Sequence, residues 1–124
     1  MKTDDFLWTC KKLYLNNIHP FDFDKADTED YLKIIEISKK IIQINGLQSF
    51  LGLLMEYQYR INFWAAFLGL EIGNPDNEEI LIISGKKTIR NLCIEIVEEN
   101  LNYKSSDTQR LNGLKWIEEQ KNTL

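Results

Sequence analysis

Apolar residues recur along most of this chain at spacings of three and four, as on one face of an α-helix, and show no alternating strand pattern. Thr3 is placed to cap a first helix, with Asp4 and Asp5 favourable in its opening turn. Phe6, Cys10, Leu13 and Tyr14 form its apolar stripe, and Asn16, Asn17, His19 and Pro20 end it. A second helix follows Asp27 as cap, with Tyr31, Ile34, Ile35, Ile41 and Ile42 on one face. Lys33, Glu36, Lys39, Lys40 and Gln43 cover the other, and Asn45 with Gly46 supplies a left-handed stop. LQSFLGLLMEY, residues 47–57, predicts a third helix with Leu47, Phe50, Leu51 and Leu54 inward.

The stretch RINFWAAFLGLEI, residues 60–72, breaks the one-stripe rule for surface helices, because its apolar residues lie nearly all the way round. Such a helix is surrounded by others. Ala65 and Ala66 then set a close approach, Phe63, Trp64 and Phe67 fill wider gaps, and Arg60, Asn62 and Glu71 are the polar exits. Gly73, Asn74 and Pro75 break the chain. NEEILIIS, residues 77–84, suits a buried helical turn or a short strand, and helix is favoured. Ser84 is the expected cap of the next helix, with Ile89, Leu92, Cys93, Ile96 and Val97 inward. Ser106 and Gln109 resemble a capping box for a last helix lined by Leu111, Leu114 and Ile117, with Trp116 beside them. The expected fold class is all-α: six or seven short helices stacked as antiparallel pairs.

Length makes this one domain, 1–124, with a core of its own. The 15 basic and 19 acidic residues give a net charge of −4, which argues against a phosphate-backbone binder of nucleic acid and fits a basic protein partner. The opening MKTDDFLWTC has acids where a secretory signal carries basic residues, and no window approaches a membrane span, so a cytoplasmic location is expected. Cys10 and Cys93 lack metal or redox spacing and read as small buried hydrophobes.

Candidate chemistry is sparse. His19 is the only histidine and stands before a proline, which makes neither a metal site nor a triad. No nucleotide-loop, zinc-protease or nucleophile-elbow motif is present. SGKK at 84–87 has part of a phosphate loop, but its plainer reading is a capped helix start. FDFDKADTED, residues 21–30, lacks the glycine and spacing of a calcium loop. It reads as a helix start with a solvated loop, or as a contact for a basic protein with Phe21 and Phe23 as apolar anchors. Tyr57, Tyr59 and Arg60 in a helical turn suit either helix-end packing or an interface centre. The partner-contact candidates are Asp22, Asp24, Tyr57, Tyr59, Glu78 and Glu79. No cofactor, metal or catalytic residue is expected. Phe21, Phe23 or Trp8 would equally suit a homodimer seam.

From Asp27 to Lys121 the order of elements resembles a family of small bacterial HEAT-like helical proteins, several of them immunity proteins of polymorphic toxin systems. The resemblance is carried by TEDYLKIIEISKKI, GLQSFLGLLMEY, YRINFWAAFLGLEI, KTIRNLCIEIVEE and RLNGLKWIEEQK. It implies a HEAT-like superhelix and an inhibitor that neutralises a cognate toxin, often a basic nuclease, by binding it. The alternative is a helical adaptor or a phage-encoded inhibitor of a host defence protein.

Overall fold

The computed structural model describes residues 2–122. Among them are six α-helices: α1 (Lys2–Leu15), α2 (Glu29–Asn45), α3 (Leu47–Phe50), α4 (Ile61–Gly73), α5 (Ile89–Tyr103) and α6 (Asp107–Asn122). Neighbours in sequence pack against each other, α1 on α2, α4 on α5 and α5 on α6, and α4 also meets α1, α2 and α3. There is no strand among the described residues, only an isolated antiparallel bridge between Ile80 and Thr88. No helix is long and apolar enough to cross a membrane.

The interior position of α4 follows from its composition. Every residue from Ile61 to Leu70 is buried, and Ala65 and Ala66 have no exposed surface. Asn62 is therefore not a polar exit: only 4% of it is accessible. A close approach sits at Gly69 and Gly73, where an added Cβ would fall 2.8 Å from Leu51 Cδ2 and 2.7 Å from Leu47 Cδ1. Trp64 meets Tyr31 of α2 edge to face at 5.2 Å, and Phe6 of α1 meets Phe50 at 5.4 Å. Cys10 and Cys93 are free and buried in this core, and burial raises both thiols, so they stay protonated and inert.

Several ends and faces differ from expectation. Thr3 lies inside α1, and the cap of α2 is Thr28, one residue past Asp27. Tyr14 is 44% exposed; Thr9 takes the inward place instead, its hydroxyl donating to Asp5 O at 2.7 Å. Ile35 and Ile42 are half-buried, and Ile37 and Ser38 complete the inner face of α2. The third helix is one α-turn, then a tighter 3-10 stretch, Leu51–Met55, which swings Leu51, Leu53 and Leu54 all inward.

Residues 77–84 are neither helix nor strand. Only Ile82–Ser84 forms a 3-10 turn, and the loop is held from outside by Gln48, which donates to Ile80 O and accepts from Ile82 N. With Ile80, Ile82 and Ile83 exposed, Leu81 is the one apolar side chain of the run that is buried, so the run does not mark a buried element. The cap of α5 is accordingly Thr88, not Ser84, accepting from Asn91 N at 3.2 Å.

On α6 the stripe is rotated. Leu111 and Leu114 are exposed, while Gln109, Gly113, Trp116 and Ile117 face inward. Gly113 permits the contact: an added Cβ would lie 2.5 Å from Leu101 Cδ1 of α5. Half of the expected capping box forms, Gln109 N donating to Ser106 Oγ at 3.1 Å. The Gln109 side chain turns away to the backbone of Pro20, in the turn between α1 and α2.

Candidate functional site

Residues 19–22, HPFD, make a tight turn between α1 and α2. Asp22 N donates to His19 O at 3.1 Å, and His19 N donates back to Asp22 Oδ2 at 2.8 Å. Pro20 occupies the second position and Phe21 the third with φ 73°, a left-handed conformation that normally calls for glycine. Phe21 is held there by burial. Its ring lies 4.6 Å from Phe67, 5.9 Å from Phe63 and 5.5 Å from Trp116, centre to centre. It is a core residue, not an exposed anchor or a dimer contact; Phe23 and Trp8 do remain exposed. Helix α6 fastens the turn from below: Gln109 Nε2 donates to Pro20 O at 2.9 Å and Asn112 Nδ2 to Phe21 O at 3.0 Å. The Trp116 indole N–H donates to Glu71 of α4.

A second unusual turn faces the first. Tyr59 and Arg60, just before α4, both have left-handed backbones, with φ of 54° and 57°. Each such residue costs roughly 1–2 kcal/mol for a non-glycine. The Arg60 guanidinium lies 4.7 Å from the centre of the Phe63 ring, and Nη2 donates to Asn100 O at 2.8 Å, near the end of α5. Asn17, also left-handed at φ 56°, closes the third side.

These segments enclose a cleft of about 510 Å³. Tyr14, Tyr57, Tyr59 and Tyr103 stand on its walls, with His19, Arg60, Asn62 and Asn100 among the other lining groups. A narrower recess of about 300 Å³ adjoins it. Lys25, Arg60 and Lys104 enter that recess with Asp22, Ser105 and Ser106, and Asn17, His19, Arg60 and Lys104 line both spaces. Beside these wall aromatics, Tyr14 packs tilted against Tyr59 at 5.7 Å, and Lys11 Nζ lies 5.8 Å from Tyr59 and 5.4 Å from Trp8.

His19 Nε2 is 3.0 Å from Asn17 Oδ1, while Nδ1 is buried with no partner among the described residues. The ring is pushed down to about 4 by burial first, then by the positive charges of Arg60, Lys25 and Lys104. It is neutral at pH 7. Burial raises Asp22, partly offset by the His19 N–H and by Lys25.

Of the residues singled out in the sequence, Tyr57 and Tyr59 line the cleft and Asp22 lines the recess. Asp24 is exposed on the 3-10 turn Phe23–Lys25 and lines neither space. Glu78 and Glu79 lie on the loop after α4, away from the cleft lining, where Glu79 accepts from Gln48 Nε2 at 3.3 Å. Sequence reading missed His19, Arg60 as a cleft group, Tyr103 and Lys104. A proline followed three residues after His19 by an aspartate was a usable turn signal; the meeting of residue 60 with residues 100–104 had none.

A buried cation, Arg90 of α5, lies apart from this site. Nη1 donates to Gln120 Oε1 at 2.6 Å, and Nη2 to Pro75 O at 2.6 Å and to Asn74 Oδ1 at 3.2 Å. It staples the turn after α4 to the last helix. Among the described residues no group of His, Cys, Asp and Glu is arranged to hold a metal ion. Comparison with protein-family models, characterised proteins and solved structures finds no match for this chain.

Proposed function

We propose that this protein acts by binding another protein and blocking it, in the manner of an immunity protein set against a bacterial toxin. One observation carries the reading: an aromatic surface in which Trp8 and Tyr59 flank Lys11, with Tyr14 beside Tyr59, leads into a cleft rimmed by Tyr57 and Tyr103. Tyr57 is 71% and Tyr103 87% exposed. Tyr and Trp bury large area at small entropic cost, and with Arg they are the side chains most enriched at interface centres. Here they converge from α1, the turn before α4 and the end of α5. The net charge of −4, with Asp24, Glu78 and Glu79 exposed, favours attraction of a basic partner at long range. The proposal includes the finer architecture, in which the side-by-side pairs α1–α2 and α4–α5, followed by α6, form a short HEAT-like stack whose loop ends make the binding rim.

The test is co-expression with the product of the adjacent gene, measuring a one-to-one complex, its affinity and survival of the host. A toxic product neutralised by the chain, with Tyr57→Ala and Tyr103→Ala each weakening the complex about 30-fold, is the expected result. A complex indifferent to both substitutions would remove the aromatic face, and no complex or protection would remove the immunity reading.

A further inference from the structure

The two joined spaces differ in chemistry, and that difference identifies a ligand class beyond the protein-blocking role. Lys25, Arg60 and Lys104 enter the narrow recess from three separate segments, opposed there by Asp22 alone among the acids. No ion pair involves any of these three cations among the described residues. The recess also meets the start of α6 at Ser106, the positive end of a helix of 16 residues. This is a local concentration of positive charge in a chain whose net charge is −4. The wide cleft beside it is walled by tyrosines. We propose that the joined cleft and recess bind a phosphate monoester carried on a planar ring, the phosphate among Lys25, Arg60 and Lys104, the ring against the tyrosines.

A tetrahedral phosphate suits this arrangement better than a carboxylate. Donors reach it from several directions, whereas a carboxylate is best taken by one open Arg fork, and Arg60 Nη2 is already given to Asn100 O. The left-handed backbones at Tyr59 and Arg60 place, from adjacent residues, a ring on the cleft and a guanidinium on both spaces. The same field is felt by His19, held low by burial and by these three cations. A cleft of about 510 Å³ is within the size of small-ligand sites.

The experiment is an NMR titration of the intact chain with phenyl phosphate, inorganic phosphate and phenol in parallel. Saturable shifts at Tyr57, Arg60, Tyr103 and Lys104 are expected, with phenyl phosphate bound at least about tenfold more tightly than inorganic phosphate or phenol. Lys104→Gln, on an exposed side chain that leaves the core untouched, weakens binding several-fold, and Arg60→Gln abolishes it. Asp22→Asn, which keeps an acceptor for His19 N, tightens it. Adenosine monophosphate and O-phosphotyrosine separate the sources: whichever binds more tightly assigns a free nucleotide or a phosphorylated side chain. Phenyl phosphate binding no better than phenol, or binding unchanged in both Lys104→Gln and Arg60→Gln, overturns the proposal. Neither result bears on a complex with the adjacent gene product.

Discussion

Phe21 is forced into a glycine-like backbone by the aromatic cluster that surrounds its ring. This reverses an ordinary rule. Glycine elsewhere is worse than alanine by roughly 0.5–1 kcal/mol, yet at φ 73° it should be at least as good. Phe21→Ala is expected to cost about 3–5 kcal/mol, and Phe21→Gly no more, as read from denaturant midpoints at constant slope. A glycine variant clearly below the alanine variant would place the turn in another conformation. His19 gives a second test at this scale. Its folded pKa of about 4 lies below the ordinary 6.5, so between these values the unfolded chain binds the extra proton. Stability therefore falls as pH drops from 6.5 towards 4. Asp22, raised by burial, acts with the opposite sign, its contribution being lost as pH rises through the carboxylate range. His19→Gln should flatten the fall measured by unfolding at several pH values; an unaltered slope would mean that the ring protonates freely in the folded chain.

At the scale of elements, α6 shows how a tertiary contact overrides a stripe. Leu111, Leu114 and Ile117 have helical spacing, and the spacing is real, but of the three only Ile117 is buried, and the helix turns Gly113 and Trp116 inward beside it. A glycine lets α6 sit against Leu101, and the indole then fills the space beside Phe21 and Phe67. Two leucines left in water are the consequence. Gly113→Leu should destabilise by roughly 1–3 kcal/mol through overpacking, whereas Leu111→Gln, at an exposed position, should stay within about 0.5 kcal/mol. Equal effects of the two on the thermal midpoint would restore the leucine face to the core. The 77–84 loop makes a similar point: four apolar residues in a row were legible as an apolar run, but Gln48 from α3 fixes their backbone and leaves three of them exposed.

For the whole molecule, the central helix organises everything else. Ala65 and Ala66 are fully enclosed, and α4 touches every other helix region that shapes the cleft, directly or through the turn at Tyr59 and Arg60. Enlarging Ala65 to Leu is expected to cost about 1–3 kcal/mol and, by displacing α4 against its packed neighbours, α5 among them, to loosen Arg60 from Asn100 O. Chemical-shift changes at Tyr103 and Lys104 accompanying the lost stability would report that displacement; shifts confined to α4 would uncouple the core from the site.

The sequence alone was sufficient for the helical class, the enclosed α4, a helix stop at Gly46, whose φ is positive though its ψ is extended, and the buried cysteines, since each depends on local periodicity, glycine stereochemistry or hydrophobicity. Tyr57 and Tyr59 were legible as a turn, but not as the wall of a cleft. Tertiary structure alone decided which face of α6 is inward, why Phe21 tolerates a positive φ, and how residues 19, 60 and 104 come to share one recess. Those outcomes belong to contacts between segments 40 to 90 residues apart, Arg60 on Asn100 O and Gln109 on Pro20 O, where no repeat in the chain records the partner.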